Sequence, residues 1–270
     1  KSGRRGVWCL LRAMGWEFRL FWPLLPGPLP PVAPSSGAVP DIFTAWPLPR
    51  PQPSALEVRT DVYVLAGDDS VGVKLRDVGP GGRGLVEVKL REEVKKRGAE
   101  RWKKLASREG SGASLATAAA QLLGDAGRGD AAAAVASQVG PRVRLEKRRW
   151  RGVLGGGVKA EQTELEVSIA NASSSAEGHG ALPWRYRTIC FEGSPRHAYE
   201  LVGELLGLPK EWKAGDLQRV LDSSVAEACK AGRAAPAMAG GYPRFVAAVA
   251  AAAASDSDQG GASTMQCDLQ

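Results

Sequence analysis

Glu87, Lys89 and Arg91 occupy every second position of one short segment, with Val88 and Leu90 between them. An acid and two bases at that spacing could grip an anion and manage a proton beside it, provided they share a surface. Period two supplies the surface, because successive side chains of a β-strand point to opposite faces. Similar segments recur at Glu57–Tyr63, Val73–Arg76, Arg142–Leu145 and Thr163–Val167. Side by side they form a sheet with one charged face. That face either meets bulk solvent, as in any sheet with one wet side, or lines the inside of a barrel.

Energetics restrict the second reading. Each ion taken out of water costs several kcal/mol unless it is paired, against a total stability of about 5–15 kcal/mol. A charged interior must therefore be wet and must balance its signs. The chain offers Glu17, Glu57, Glu87, Glu164 and Glu166 against Arg19, Arg59, Lys74, Arg76, Lys89, Arg91, Arg144, Lys147 and Arg185. The surplus of bases suits a polyanion. Glu164 and Glu166, at i and i+2, have the spacing to share a hard divalent cation with phosphate oxygens.

The elements that must position these groups follow from the pattern along the chain. Strands are expected at 16–22, 56–65, 71–77, 85–92, 142–150, 161–169 and 184–192. Segment 93–108 fits a strand or a helix equally well. A Pro-rich insertion (23–54) and an Ala/Gly-rich insertion (107–140) interrupt the series, the latter with room for a loosely packed helix. Helices follow from Ser194-Pro195, over 216–231 and from Tyr242 into the alanine run 250–254, and the tail from Ser255 reads as disordered. The class is α+β: an antiparallel β-barrel or tunnel of seven to eight strands with C-terminal helices, since closure removes exposed edges. The domain reading is a leader without fixed structure (1–13, with Met14 a sensible start), a barrel domain (14–206), and a helical C-terminal extension with a disordered tail (207–270).

Composition narrows the chemistry. A net charge of +7 favours anionic partners. Cys9, Cys190, Cys229 and Cys267 form no C-x-x-C pair and have no metal-ligand spacing to His179 or His197. A disulfide framework, a structural zinc site and Ser-His or Cys-His catalysis are therefore set aside. A reducing, intracellular compartment is the expectation, the cytoplasm by default or else an organelle. No stretch approaches the ~20 apolar residues of a membrane span. The glycine runs at 79–82 and 155–157 lack the phosphate-loop pattern. The basic run Lys147–Arg151 reads as a solvated strand end rather than an RNA site, and Cys190 as a buried thiol.

The E-x-K-x-R strand at Glu87–Arg91, the late E-x-E at Glu164–Glu166, the alternating charged strands and the helices after them resemble the CYTH, or triphosphate tunnel metalloenzyme, superfamily. The likeness spans roughly residues 16–206, with large insertions. It implies an eight-stranded antiparallel tunnel in which bases hold a triphosphate and glutamates bind Mg2+ or Mn2+. Members hydrolyse inorganic triphosphate, thiamine triphosphate or RNA 5′-triphosphate, or cyclise ATP. Carried over, it gives Arg59, Lys74, Arg76, Lys89, Arg91, Arg144, Lys147 and Arg185 as substrate-binding residues. Glu17, Glu57, Glu164 and Glu166 become metal ligands; Glu87, which shares its strand face with Lys89 and Arg91, is the catalytic residue to test first as general base, its alternative being a structural ion pair across the sheet. The opening E-x-E-x-K motif of the family is missing; Glu17-Phe-Arg19 and Glu57-Val-Arg59-Thr-Asp61 each keep part of it. The resulting expectation is a metal-dependent hydrolase of a triphosphate-containing small molecule. The alternative is a non-catalytic binder of phosphorylated ligand or RNA, with nucleic acid the less favoured partner.

Overall fold

The computed structural model describes residues 15–24, 56–76, 83–137, 142–154, 157–170, 184–230 and 237–259. The expectations for the leader, for most of the Pro-rich insertion and for the tail beyond 259 lie outside these residues. Nine strands and five helices are described. In chain order they are β1 (Trp16–Pro23), β2 (Glu57–Val64), β3 (Val71–Arg76), β4 (Arg83–Val94), β5 (Glu100–Ser111), α1 (Gly112–Asp125), α2 (Gly129–Ser137), β6 (Arg142–Val153), β7 (Lys159–Ala170), β8 (Trp184–Gly193), α3 (Pro195–Leu205), α4 (Ala214–Lys230), β9 (Met238–Ala239) and α5 (Tyr242–Gln259).

Antiparallel pairing runs β5-β4-β3-β2-β6-β7-β8-β1, and β1 returns to β5 through Trp16↔Arg101 and Glu17↔Glu100. Eight strands thus close into a barrel. The β1–β5 seam is short. Further along β1, the two-residue β9 takes over the same edge, pairing Leu20 with Ala239 and Phe21 with Met238. Segment 93–108 resolves as strand: the end of β4, a tight turn and most of β5. The turn closes through Lys95, whose N–H donates to the Ala99 carbonyl at 2.8 Å, with Gly98 at φ 93°, where glycine alone is unstrained.

Two apolar layers cover the outside. Val71, Val73, Val86 and Val88 of β3 and β4 pack under Leu115, Ala119 and Leu123 of α1 and Ala131 and Val135 of α2. The Ala-rich segment expected to be loosely packed is thus a fitted cover, its alanines allowing close approach to the sheet. Phe18, Leu20, Ile189 and Phe191 lie under Ala198 and Val202 of α3, Trp212, and Leu217 and Leu221 of α4.

A third core lies inside the barrel. Phe21, Tyr63, Val143, Leu145, Leu165, Val167 and Tyr186 point inward and meet Phe245, Val246, Val249 and Ala250 of α5. Phe245 stacks on Phe21 with ring centroids 4.1 Å apart. The helix that opens at Tyr242 therefore fills one end of the barrel, and it runs on to Gln259 rather than stopping at the alanine run. No described helix is long and apolar enough to cross a membrane.

The interior changes character along its length. Toward the open end, the inward positions of β1 pass from Phe21 to Arg19 and Glu17. Those of β2 pass from Tyr63 to Asp61 and Arg59, and those of β6 from Val143 and Leu145 to Lys147, Arg149 and Arg151. On β7 the sequence is Val167, Leu165, Thr163, Glu161. The barrel is a cup with an apolar, helix-filled base and a charged upper half.

Candidate functional site

The charged half encloses a cavity of about 620 Å3, within the usual range for ligand pockets of ~300–1,000 Å3. Nine basic side chains line it, Arg19, Arg59, Lys74, Arg76, Lys89, Lys104, Arg149, Arg151 and Lys159, against four carboxylates, Glu17, Glu87, Glu161 and Glu192. Its floor is the start of α5, through Gly241, Tyr242 and Pro243. Close packing fixes that floor: a Cβ on Gly72 would lie 2.9 Å from Pro243 Cγ, and one on Gly241 2.7 Å from both Glu100 Oε2 and Trp102 Cζ2.

Three carboxylates organise the bases. Asp61, fully buried on β2, is met by Lys147 Nζ at 2.7 Å, Arg59 Nη2 at 3.2 Å and Arg76 Nε at 3.4 Å. Burial opposes its charge, but Lys147, Lys74 and Arg59 hold its carboxyl well below the usual range. Lys147 is as deeply buried, with Nζ 3.6 Å from the Tyr242 ring centroid, and burial pushes its ammonium down to about 7 against the pull of Asp61. Glu87 is held by Lys74 Nζ at 2.7 Å and Lys104 Nζ at 2.9 Å, with Arg76 Nη2 at 3.8 Å. Burial works against ionisation of Glu87 too, and Lys74 overcomes it, so this carboxyl also lies far below its ordinary value. Burial lowers Lys74 in turn to about 8, opposed by Glu87 and Asp61. Glu161 joins Arg19 Nη1 at 3.0 Å to Arg149 Nη1 at 3.1 Å, and Thr163 Oγ1 donates to it at 3.2 Å.

Of the residues expected from the sequence, Glu17, Arg59, Lys74, Arg76, Glu87 and Lys89 meet in the cavity. Lys147 lies within the wall as the partner of Asp61 rather than on the lining. Glu57 binds Arg59, Arg149 and Arg151 at 3.2, 2.6 and 3.1 Å, at a half-exposed position. Arg91 turns to Asp69 at 2.8 Å and Glu100 at 3.2 Å and does not line the cavity. Arg144, Arg185, Glu164 and Glu166 belong to the outer wall. Arg144 pairs there with Glu146 at 3.0 Å, Arg185 with Glu166 at 3.9 Å, and Arg187 with Glu164 at 3.5 Å. The reason is phase: on β7 the inward positions are Glu161, Thr163, Leu165 and Val167, so an acid pair at 164 and 166 must face out.

Sequence reasoning missed Asp61, Lys104, Arg149, Arg151, Lys159, Glu161 and Glu192 as site residues. The basic run Lys147–Arg151 is the plainest correction. Rather than lying wholly in solvent, it sends Lys147, Arg149 and Arg151 inward and Arg148 and Trp150 out, with only Arg148 and the mouth residue Arg151 exposed. Parity with Lys147 was the available signal. For metal ligation, one oxygen each of Glu17 and Glu192 and the Cys190 sulfur lie within 4.8 Å of one another on β1 and β8. Burial opposes the charge of Glu17, but Arg19 and Lys89 keep its carboxyl below the ordinary value.

No family model matches the sequence, and no curated protein does. Among solved structures, one of a hypothetical protein, NE1496, is 13% identical over 74% of this chain and 86% of that chain, with a TM-score of 0.24. Another, of the inorganic triphosphatase NE1496, is 14% identical over 68% of this chain and 77% of that chain, with a TM-score of 0.22. The barrel rests on its own strand ladder, not on this likeness.

Proposed function

We propose that the cup binds the phosphates of a triphosphate-containing small molecule and hydrolyses it with a divalent cation, as a divergent relative of the triphosphate tunnel metalloenzymes. The observation that carries the reading is the lining itself: nine bases against four carboxylates in a cavity closed at one end by its own helix. A surplus of fixed positive charge on low-dielectric walls concentrates polyanions. Lys89 and Lys159 line the cavity with no ion pair among the described residues and are the bases readiest to meet phosphate. Arg59, Arg76 and Arg149 are held by carboxylates in fixed orientations, which suits bidentate contact with phosphate oxygens. Glu87 serves here to orient Lys74 and Lys104 rather than to take a proton, because two ammonium groups occupy its oxygens and weaken it as a base.

Glu17 and Glu192, with Cys190 behind them, would hold the cation at the β1–β8 wall. When bound, Mg2+ or Mn2+ would supply charge neutralisation at the phosphate oxygens. A blind cup accepts a small molecule or a chain end and excludes a threaded polymer, which favours a short triphosphate. The test is hydrolysis of tripolyphosphate, thiamine triphosphate and ATP with and without Mg2+ or Mn2+. Phosphate release from at least one, abolished by chelation, is expected; metal-independent binding without release would leave only a phosphate-binding protein. That second reading has its own support: Glu87 and Glu161 are neutralised by the protein's own cations, which thins the supply of metal ligands.

A further inference from the structure

The β1–β8 wall carries a donor set that an all-oxygen Mg2+ site does not need. We propose that Glu17, Cys190 and Glu192 form a mixed thiolate–carboxylate site for a borderline-soft divalent cation of the Zn2+ type. The inference deepens the reading above, since it uses the same cavity and sets the class of metal.

Two independent observations point to the site. The first is geometry. Glu17 and Glu192 are cross-strand partners, and Cys190 precedes Glu192 by two on the same face of β8, so one donor atom of each lies within 4.8 Å of the other two. The second is the state of the sulfur. Cys190 is fully buried and in no disulfide, and its thiol has no hydrogen-bond partner among the described residues, though the charges of Arg19, Glu17, Glu161 and Glu192 all act on it. A buried sulfur packed for stability alone would sit among apolar groups. Cys190 is instead the register partner of both Arg19 and Glu161, two of the most heavily charged positions of the wall.

The chemistry follows from ligand softness. A thiolate favours Zn2+ over Mg2+, whereas carboxylates accept either. Binding replaces the S–H bond by a metal–sulfur bond and releases one proton to solvent, while both carboxylates bind as they stand. Arg19 Nε donates to Glu17 Oε1 at 3.0 Å, which orients the carboxylate. Because Glu17 and Glu192 also line the cavity, a fourth position faces the space assigned to phosphate. Three protein ligands with one open position is the arrangement of reactive rather than structural zinc sites.

Titration of metal-free protein with Co2+, a spectroscopic stand-in for Zn2+, tests this without any hydrolysis assay. A thiolate-to-cobalt charge-transfer band is expected, displaced by Zn2+ and not by equimolar Mg2+. Cys190→Ser removes the band, and Glu192→Gln, at an exposed position, weakens Co2+ binding by at least the ~10–100-fold that losing an outer-shell partner costs, while the protein stays folded. Co2+ binding without the band, a band that survives in Cys190→Ser, or no Co2+ binding by folded wild-type protein overturns the assignment. Failure of the functional reading looks different: the band forms but no triphosphate is cleaved with Zn2+, Mn2+ or Mg2+.

Discussion

Lys147 and Glu87 show how single charges shape this cavity. Removing Lys147 by Lys147→Met leaves Asp61 buried with Arg59 and Arg76 alone, at an expected cost of about 3 kcal/mol, the low end for breaking a buried pair. Chemical denaturation at neutral pH measures it. The pH dependence has a definite sign. The Lys147 ammonium is lowered from 10.5 to about 7 on folding, so between those values the unfolded chain binds more protons than the folded one. The contribution of this group is complete above 10.5 and is lost as pH falls through about 7. Wild type should therefore gain stability relative to Lys147→Met as pH rises from 7 toward 9, and parallel curves would contradict the assignment. Glu87→Gln separates two roles by kinetics. Loss of a general base lowers kcat with KM unchanged, whereas loss of a hub that positions Lys74 and Lys104 raises KM. If the proposed hydrolysis holds, a severalfold rise in KM with a smaller change in kcat is expected on the triphosphate that is turned over.

At the scale of elements, the strands were legible and their phase was not. Period-two charge places β1, β2, β3, β4, β6, β7 and β8 close to their observed spans, because each carries enough alternation to mark a strand. It does not say which parity faces inward, since the interior is half apolar. On β7, Leu165 and Val167 look like the dry face and Glu164 and Glu166 like the working one, yet the dry face here is the inside of the barrel, filled by α5. The same confusion hid Arg149 and Arg151 and promoted Arg144, which has the opposite parity to Lys147 on β6. What fixes the phase is a contact more than 50 residues distant in sequence, Phe245 against Phe21 and Tyr186, which no local pattern records. The seat of α5 is correspondingly testable. Gly72→Ala puts a methyl 2.9 Å from Pro243 Cγ. It should lower stability by about 1–3 kcal/mol, the cost of overpacking, and should weaken anion binding because the cavity floor moves. Unchanged affinity in a destabilised protein would separate the floor from the site.

The whole molecule is a basic protein, +7 overall, whose interior cavity carries a surplus of bases. An anion held there binds the folded state and not the unfolded chain, so ligand should stabilise the fold. At a ligand concentration 100 times Kd the expected gain is about 2.7 kcal/mol, read as a rise in Tm with tripolyphosphate. The shift should shrink with added salt, but less steeply than for a surface patch, because pairs within a partly enclosed wall are screened less than exposed ones. Chain length then distinguishes a cup from a tunnel. In a passage open at both ends, longer polyphosphates engage more bases and affinity per molecule keeps rising. Here α5 blocks the far end, packed on Phe21, Tyr63 and Tyr186 from within the barrel. Affinity expressed per chain end should therefore level off at about the length the cavity holds, with the remaining phosphates left in solvent. A continued climb with length would place the binding surface outside the barrel, on the basic outer wall around Arg144 and Arg148, and would remove the enclosed cavity as the seat of function.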